Sequence, residues 1–257
     1  MQEIKYPFFK KGRILKIEML ENLRDYPRDI LDVYNEYLSD GIICGLMPKV
    51  DKDMITFSKG IVKYNGELYV INAPTSITYG ETEVEVIIKL NFHDELRDND
   101  YKTQYINIEI DPNLEIQDNQ IELGRFKLKR GAYLRSEYQD LYDFTTEYNT
   151  INIVNVLYSG YGRPTLSNMI LKYFAKEALS TRTQNHMDVT FSMLCLNSSR
   201  IEREVIYNYV SFKLNEEIVE LGNEKLHSKL VKILGNIKRE NSGVRRSRAS
   251  AQKIILD

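Results

Sequence analysis

Met54-Ile55-Thr56-Phe57-Ser58-Lys59-Gly60-Ile61-Val62-Lys63-Tyr64-Asn65-Gly66-Glu67-Leu68-Tyr69-Val70-Ile71 holds three short β-type runs, Met54 to Phe57, Gly60 to Tyr64 and Glu67 to Ile71. Asn65-Gly66 stands between the second and third. That dipeptide is the strongest short-range hairpin signal, because both residues tolerate the positive φ of a tight turn. Gly60 and Gly66 fall where the turns need backbone freedom. The stretch therefore predicts antiparallel strands joined by short turns.

Outward from it, further β-type runs are Ile42-Ile43-Cys44, Glu83 to Leu90, Tyr105 to Ile110 and Gln120 to Leu128. In Glu83-Val84-Glu85-Val86 the strict alternation predicts carboxylates on a wet face and valines on a core face, as in an antiparallel sheet with one side exposed. Upstream, Ile17, Leu20, Leu23, Ile30, Leu31, Tyr34 and Leu38 recur at helical spacing. Pro27 removes a backbone donor, so the reading is two helices, about 16–25 and 28–38, ending at Asp40-Gly41. Downstream of Gly131 the expected elements are a helix over Ser136 to Tyr142 and a strand-like run over Ile151 to Tyr158. Helices then follow over Thr165 to Leu179, Ser199 to Leu214 and Glu217 to Lys238. The fold class is α+β, with N-terminal helices, a middle antiparallel β-sheet or sandwich domain and a mainly helical C-terminal region. The corresponding boundaries are 1–40, 41–135, 136–237 and, for a basic flexible tail, 238–257.

With 257 residues, 42% of them hydrophobic and 28% charged, the chain can bury a substantial core. A net charge of −2 gives the whole molecule no field to attract nucleic acid or an anionic membrane. No segment approaches the roughly 18 apolar residues of a membrane span. The start, Met1 to Lys11, lacks the apolar run of a secretion signal. The expectation is a protein made in a cytoplasm, without membrane insertion. Cys44 and Cys195 lie far apart in apolar surroundings and read as small buried hydrophobes rather than a disulfide. Eighteen Tyr with no Trp suit surfaces that are apolar on one side and hydrogen-bonded on the other.

No catalytic constellation emerges. His93, His186 and His227 have no second ligand three or four residues away, so none begins a local zinc pattern. Gly160-Tyr161-Gly162 follows an apolar run and precedes a helix, but Arg163-Pro164 breaks the dinucleotide fingerprint. The acidic loop His93 to Asp100 lacks the central glycine and terminal glutamate of a calcium-binding loop. No Ser sits in a nucleophile elbow. The expectation is a non-enzyme with no metal and no cofactor. Between Glu81 and Leu123 twelve Asp or Glu face three Lys or Arg, while Lys238 to Lys253 carries a local balance of +5. Arg245, Arg246 and Arg248, with the apolar Ile254, Ile255 and Leu256, are the candidate partner-binding residues. No aromatic residue interleaves these charges, so protein docking or simple disorder is preferred to nucleic-acid binding.

Ser39-Asp40-Gly41-Ile42-Ile43-Cys44-Gly45-Leu46, followed by the Met54 to Ile71 stretch, resembles a module of phage tail and baseplate proteins. In it a "DG-apolar-apolar-x-G" strand precedes a spaced-glycine hairpin. The lead-in from Gly12 to Leu38 is also similar to prophage and contractile-tail bacteriocin proteins of clostridia, the group that includes the diffocins. The resemblance covers about the first 130 residues. It implies a structural subunit, baseplate or tail-fibre attachment, that binds other tail and baseplate proteins as a homo-oligomer or part of a symmetric assembly. The alternative is a receptor- or carbohydrate-binding module of the particle, which would present a Tyr-lined concavity near the loop Phe92 to Tyr101. A phosphate-binding or hydrolytic enzyme is the third and weakest reading.

Overall fold

The computed structural model describes residues 4–250, with side chains described to 240. The chain divides into two compact units, Met1–Leu38 and Ser39–Asp257. The fold is α+β: an N-terminal helix, antiparallel sheets in the middle and helices at the C-terminal side.

The first unit contains one helix, α1 (Ile17–Asn35), with Pro27 inside it. The two helices expected from the sequence are thus a single one. The sign was the phase: Leu20 and Leu23 before the proline fall on the same side as Ile30 and Tyr34 after it, which a break would not preserve. The cost of an interior proline, about 3 kcal/mol, is borne without ending the helix.

In the second unit the strands are β1 (Gly41–Gly45), β2 (Pro48–Asp51), β3 (Met54–Phe57), β4 (Gly60–Tyr64), β5 (Glu67–Ile71) and β6 (Thr75–Thr78). They continue as β7 (Val86–Phe92), β8 (Leu96–Arg97), β9 (Lys102–Thr103), β10 (Ile106–Asp111) and β11 (Gln120–Phe126). Three three-stranded sheets run in the orders β1-β4-β5, β2-β3-β6 and β10-β7-β11, and β8-β9 is a small ribbon. Every pair is antiparallel. The β4–β5 turn is the expected one, with Asn65 at φ 48° and Gly66 at φ 77°. Gly60 serves differently from its sequence reading. A Cβ there would stand 2.5 Å from the Cys44 carbonyl oxygen, so glycine is needed for the close approach of β1 and β4.

Two sequence expectations in this region are corrected. The alternating Glu83-Val84-Glu85 lies ahead of the strand, with Glu83 at φ 50° and Val84 exposed. The strand proper, β7, is buried at all seven positions, because β10 and β11 flank it and both of its faces are covered. Cys44 is exposed, not buried. A bulge between Ile42 and Cys44 breaks the in-out alternation of β1.

The helices of this unit are α2 (Asn168–Ser180), α3 (His186–Asn197), α4 (Arg203–Leu214) and α5 (Asn223–Ser250). The helix expected over Ser136 to Tyr142 is absent, and a single 3₁₀ turn, Tyr142–Thr145, stands at its end. Side-chain acceptors take the amides a helix would use. Gln139 N donates to Asp143, Leu141 N to Glu177, and Tyr142 N and Asp143 N to Asp140. The run Ile151 to Tyr158 forms isolated bridges rather than a strand, joining Asn152 to Arg125 and Tyr158 to Ile42 and Thr165. It thereby ties two sheets to the start of the helical region. One hydrophobic cluster extends from Ile42 to Ile237 and includes residues of both the strands and the helices. The last helix does not stop at Lys238: α5 continues to Ser250. Arg, Lys and Ala in that stretch are good helix formers, and Gly243 costs only about 1 kcal/mol. Lys238 itself is docked, its ammonium 2.7 Å from Glu177.

Candidate interaction surface

In α1 the apolar side chains come from sequence at helical spacing. With about 100° per residue, Leu20, Leu23, Pro27, Ile30, Leu31 and Tyr34 fall within an arc of about 100°. The five carboxylates Glu18, Glu21, Asp25, Asp29 and Asp32 occupy about 80° on the opposite side. A helix patterned this way buries its stripe in a globular protein. Here no residue of α1 is buried. Leu23 is 56% exposed, Ile30 46% and Tyr34 87%. Tyr26 meets Tyr6 edge-on at 5.5 Å, and Arg24 spends its guanidinium on the adjacent Asp25 at 2.6 Å. Unburied within its own unit, the stripe is a candidate interaction face.

A second apolar feature is a groove of about 580 Å³ between α3 and α4, lined by residues including Met187, Phe191, Leu194, Val205, Tyr209 and Phe212. Its floor is fixed by polar bonds. Tyr209 stacks on Phe191 at 3.9 Å and donates its hydroxyl to Asp188, 2.8 Å away. Asp188, fully buried, also accepts from Lys213 at 2.9 Å. Burial, with the neighbouring Asp188 charge, pushes the Tyr209 hydroxyl well above its ordinary value. Sequence reading missed α3 because its apolar residues surround the helix and leave no single stripe. The cap Asn185, which accepts from Met187 N and Asp188 N, was the available signal.

The recess beside the loop Phe92 to Tyr101 holds about 350 Å³ and is lined by Tyr64, Tyr69, Phe92, His93, Asp94 and Glu95, among others. Tyr64 is stacked on Phe92 at 4.1 Å and Tyr69 meets Phe92 edge-on at 4.8 Å. These faces are therefore largely turned on each other. Tyr64 donates its hydroxyl to the Asp118 carbonyl. The acidic loop is partly neutralised, since Lys102 bridges Glu95 and Glu67.

The remaining candidates have structural partners. Gly160-Tyr161-Gly162 offers the Tyr161 amide to the Glu202 carboxylate at 2.6 Å, so an internal anion already fills the place a phosphate would take. Nearby, the buried Arg203 guanidinium donates to Asn223 and to the carbonyls of Pro164 and Leu221. Nothing in the sequence marked this hub. His227 is buried against the Leu141 carbonyl oxygen at 3.0 Å, and burial pushes its imidazole down. His93 pairs with Asn107, and His186 opens α3. Among the described residues no group of three or more His, Cys, Asp or Glu is placed to hold a metal ion. No helix among them is long and apolar enough to cross a membrane. Both cysteines are free, and burial pushes the Cys195 thiol up to about 12. Of the candidate partner-binding residues, Arg245, Arg246 and Arg248 lie on the backbone of α5. Their side chains, and Ile254, Ile255 and Leu256 entirely, lie outside the described residues.

No protein-family model matches the chain, and no curated protein sequence matches it. Among solved structures, a chain of the type VI secretion system TssK-TssF-TssG baseplate subcomplex is similar at 11% identity and a TM-score of 0.40. The alignment covers 92% of this chain and 100% of that one. A crystal structure of TssK gives 9% identity and a TM-score of 0.37, over 93% of this chain and 72% of that one. A chain of the baseplate complex from the type VI secretion system gives 10% and 0.35, over 92% and 100%.

Proposed function

We propose that this chain is a structural subunit of a contractile, phage-tail-like particle, a baseplate or fibre-attachment piece that acts by binding other proteins and not by turning over a substrate. The observation that carries this reading is the apolar face of α1, which has no buried residue. The resemblance of Ser39 to Leu46 and Met54 to Ile71 to a tail and baseplate module supports it and gives the particle type, a phage tail or a clostridial, diffocin-like bacteriocin. Its partners would be other baseplate proteins in a symmetric assembly. The test is composition. Sheath-bearing particles purified from the producing cell, stripped of loosely bound protein and analysed by quantitative mass spectrometry, contain this chain in fixed ratio to the tube protein. Its absence from such particles refutes the reading.

A second reading, a carbohydrate-binding module of the particle, is favoured by the recess at Tyr64, Tyr69 and His93, which lies where the Tyr-lined concavity was expected. The mutual stacking of its rings leaves little free face for a sugar, which ranks it second. Binding of the protein to envelope glycan that Tyr69→Ala abolishes would promote it.

A further inference from the structure

We propose that Asn65-Gly66 is a site of spontaneous backbone modification, closure to a succinimide and opening to isoaspartate, and that the Asp40 carboxylate is the latch that keeps it silent in the folded chain. The site lies wholly in the second unit, and its chemistry is independent of the structural-subunit reading.

This is the one Asn-Gly pair in the chain. An asparagine followed by glycine closes most readily, because no Cβ hinders the attacking nitrogen. Both residues are exposed at the tip of the β4–β5 hairpin, and nothing lies within 4 Å of where a Gly66 Cβ would stand. In the reaction the Gly66 nitrogen loses its proton and bonds to Asn65 Cγ, the Cγ–Nδ2 bond breaks, and Nδ2 departs with that proton as ammonia. Water then opens the ring at either carbonyl, giving aspartate, or isoaspartate with the main chain running through Cγ.

Ring closure needs the Gly66 nitrogen and the Asn65 Cβ eclipsed about the Cα–C bond. The fold sets them apart. Asn65 sits at φ 48°, in the left-handed region. The ψ of about +47° that belongs to that region turns the Gly66 nitrogen nearly opposite Cβ, farther from closure than either the helical or the extended region does. Asp40 holds the turn there. Its Oδ2 accepts from the Asn65 amide at 2.9 Å and its Oδ1 from the Gly66 amide at 3.4 Å, so the attacking nitrogen is itself tied down. Asp40 is anchored on both sides, since Gly41 pairs with Lys63 of β4 and the Ser39 amide donates to the Gly160 carbonyl oxygen at 2.9 Å. Either product sets a new carboxylate near that of Asp40. Isoaspartate also adds a backbone atom to the two-residue turn between the paired Tyr64 and Glu67, which opens the latch for good.

The experiment uses the full chain. Native wild type, native Asp40→Ala and the urea-unfolded forms of both are held in mildly alkaline buffer. Peptides containing Asn65 are followed by mass spectrometry for replacement of the amide nitrogen by oxygen, with aspartate and isoaspartate separated by chromatography. A further sample is wild type in just enough urea to lower its stability to that of Asp40→Ala. Asp40→Asn, which keeps one acceptor oxygen and the size of the side chain, takes the place of Asp40→Ala if the latter does not fold. The expected result is native wild type modified at least about tenfold more slowly than the unfolded chain. Native Asp40→Ala reacts at least about tenfold faster than native wild type, the factor that one hydrogen bond to a charged group commands. The two unfolded forms react alike, and the urea-matched wild type stays slow. Three results each overturn the proposal. Native wild type reacting at the unfolded rate removes the protection, and the Asp40 variant reacting at the wild-type rate removes the latch. Urea-matched wild type keeping pace with the variant shows that general loss of stability, and not Asp40, governs the site.

Discussion

Asp188 is the residue whose removal the structure prices most directly. Its carboxylate is fully buried in the first turn of α3, where it accepts from the Tyr209 hydroxyl at 2.8 Å and the Lys213 ammonium at 2.9 Å. Asp188→Ala leaves a buried hydroxyl without its acceptor, which costs about 1–3 kcal/mol. It also leaves the Lys213 side chain, 12% exposed, without its counter-charge. Breaking a buried pair costs about 3–5 kcal/mol, and the lower end applies because Lys213 can reach water. The total is about 4 kcal/mol, or a melting temperature lowered by about 8–16 °C for a unit of this size. Asp188→Asn keeps an acceptor for Tyr209 and loses only the charge, so about 2 kcal/mol is expected. Adding Lys213→Met to Asp188→Asn should recover most of that loss, since the orphaned ammonium is then gone. Urea unfolding followed by circular dichroism, extrapolated linearly to water, measures all three. A loss below about 1 kcal/mol for Asp188→Ala would show that the floor of the α3–α4 groove is not held by this network.

The cysteines should separate cleanly: a thiol reagent labels Cys44 in the native protein, while Cys195, buried and with its thiol pushed up to about 12, reacts only at the rate of unfolding. Two fast equivalents, or none, would contradict the burial assigned to them. His227 gives a pH signature. Burial holds its folded pKa below the ordinary 6.5, so the unfolded chain binds more protons as pH falls below 6.5. The contribution of the neutral ring is complete above that value and is lost as the pH falls from 6.5 through the folded pKa. Melting temperatures taken between about pH 8 and pH 5 should fall in that window and fall less in His227→Gln. Equal slopes for the two proteins count against the assignment.

What the sequence showed was set by how local each signal is. Asn65-Gly66 fixes its own turn through the φ values of two residues, and β3, β4 and β5 appear with the boundaries read from their composition. β2 and β6 were missed because Pro48-Lys49-Val50-Asp51 and Thr75-Ser76-Ile77-Thr78 are edge strands of mixed polarity, held by pairing with β3 rather than by a pattern of their own. The buried β7 reads as an exposed-face strand only if its start is placed at Glu83. Its central Lys89, 1% exposed and bonded to Asp111 and the Glu115 carbonyl, is legible only once the partner strand is known. The same holds around Asp143, whose bidentate bond with Arg135 holds its carboxyl well below the usual range and replaces the helix that the local pattern favoured. The stripe of α1 was visible in the sequence, but periodicity reports amphipathicity and not what covers it.

The two units differ in their apolar side chains more than in their polar ones. From Ser39 onward the polar groups are spent internally: Arg203 on Asn223 and two carbonyls, Glu202 on the Tyr161 amide, Asp188 on Tyr209 and Lys213. In the first unit Arg24 likewise meets Asp25, but no apolar side chain of α1 is buried. Ordering α1 costs about 1–2 kcal/mol per residue in backbone entropy, to which Pro27 adds about 3 kcal/mol. Its own hydrogen bonds return about 1 kcal/mol each, and burial of a large apolar side chain is worth about 1.5–3 kcal/mol. A helix balanced in this way gains stability when its stripe is buried against another surface.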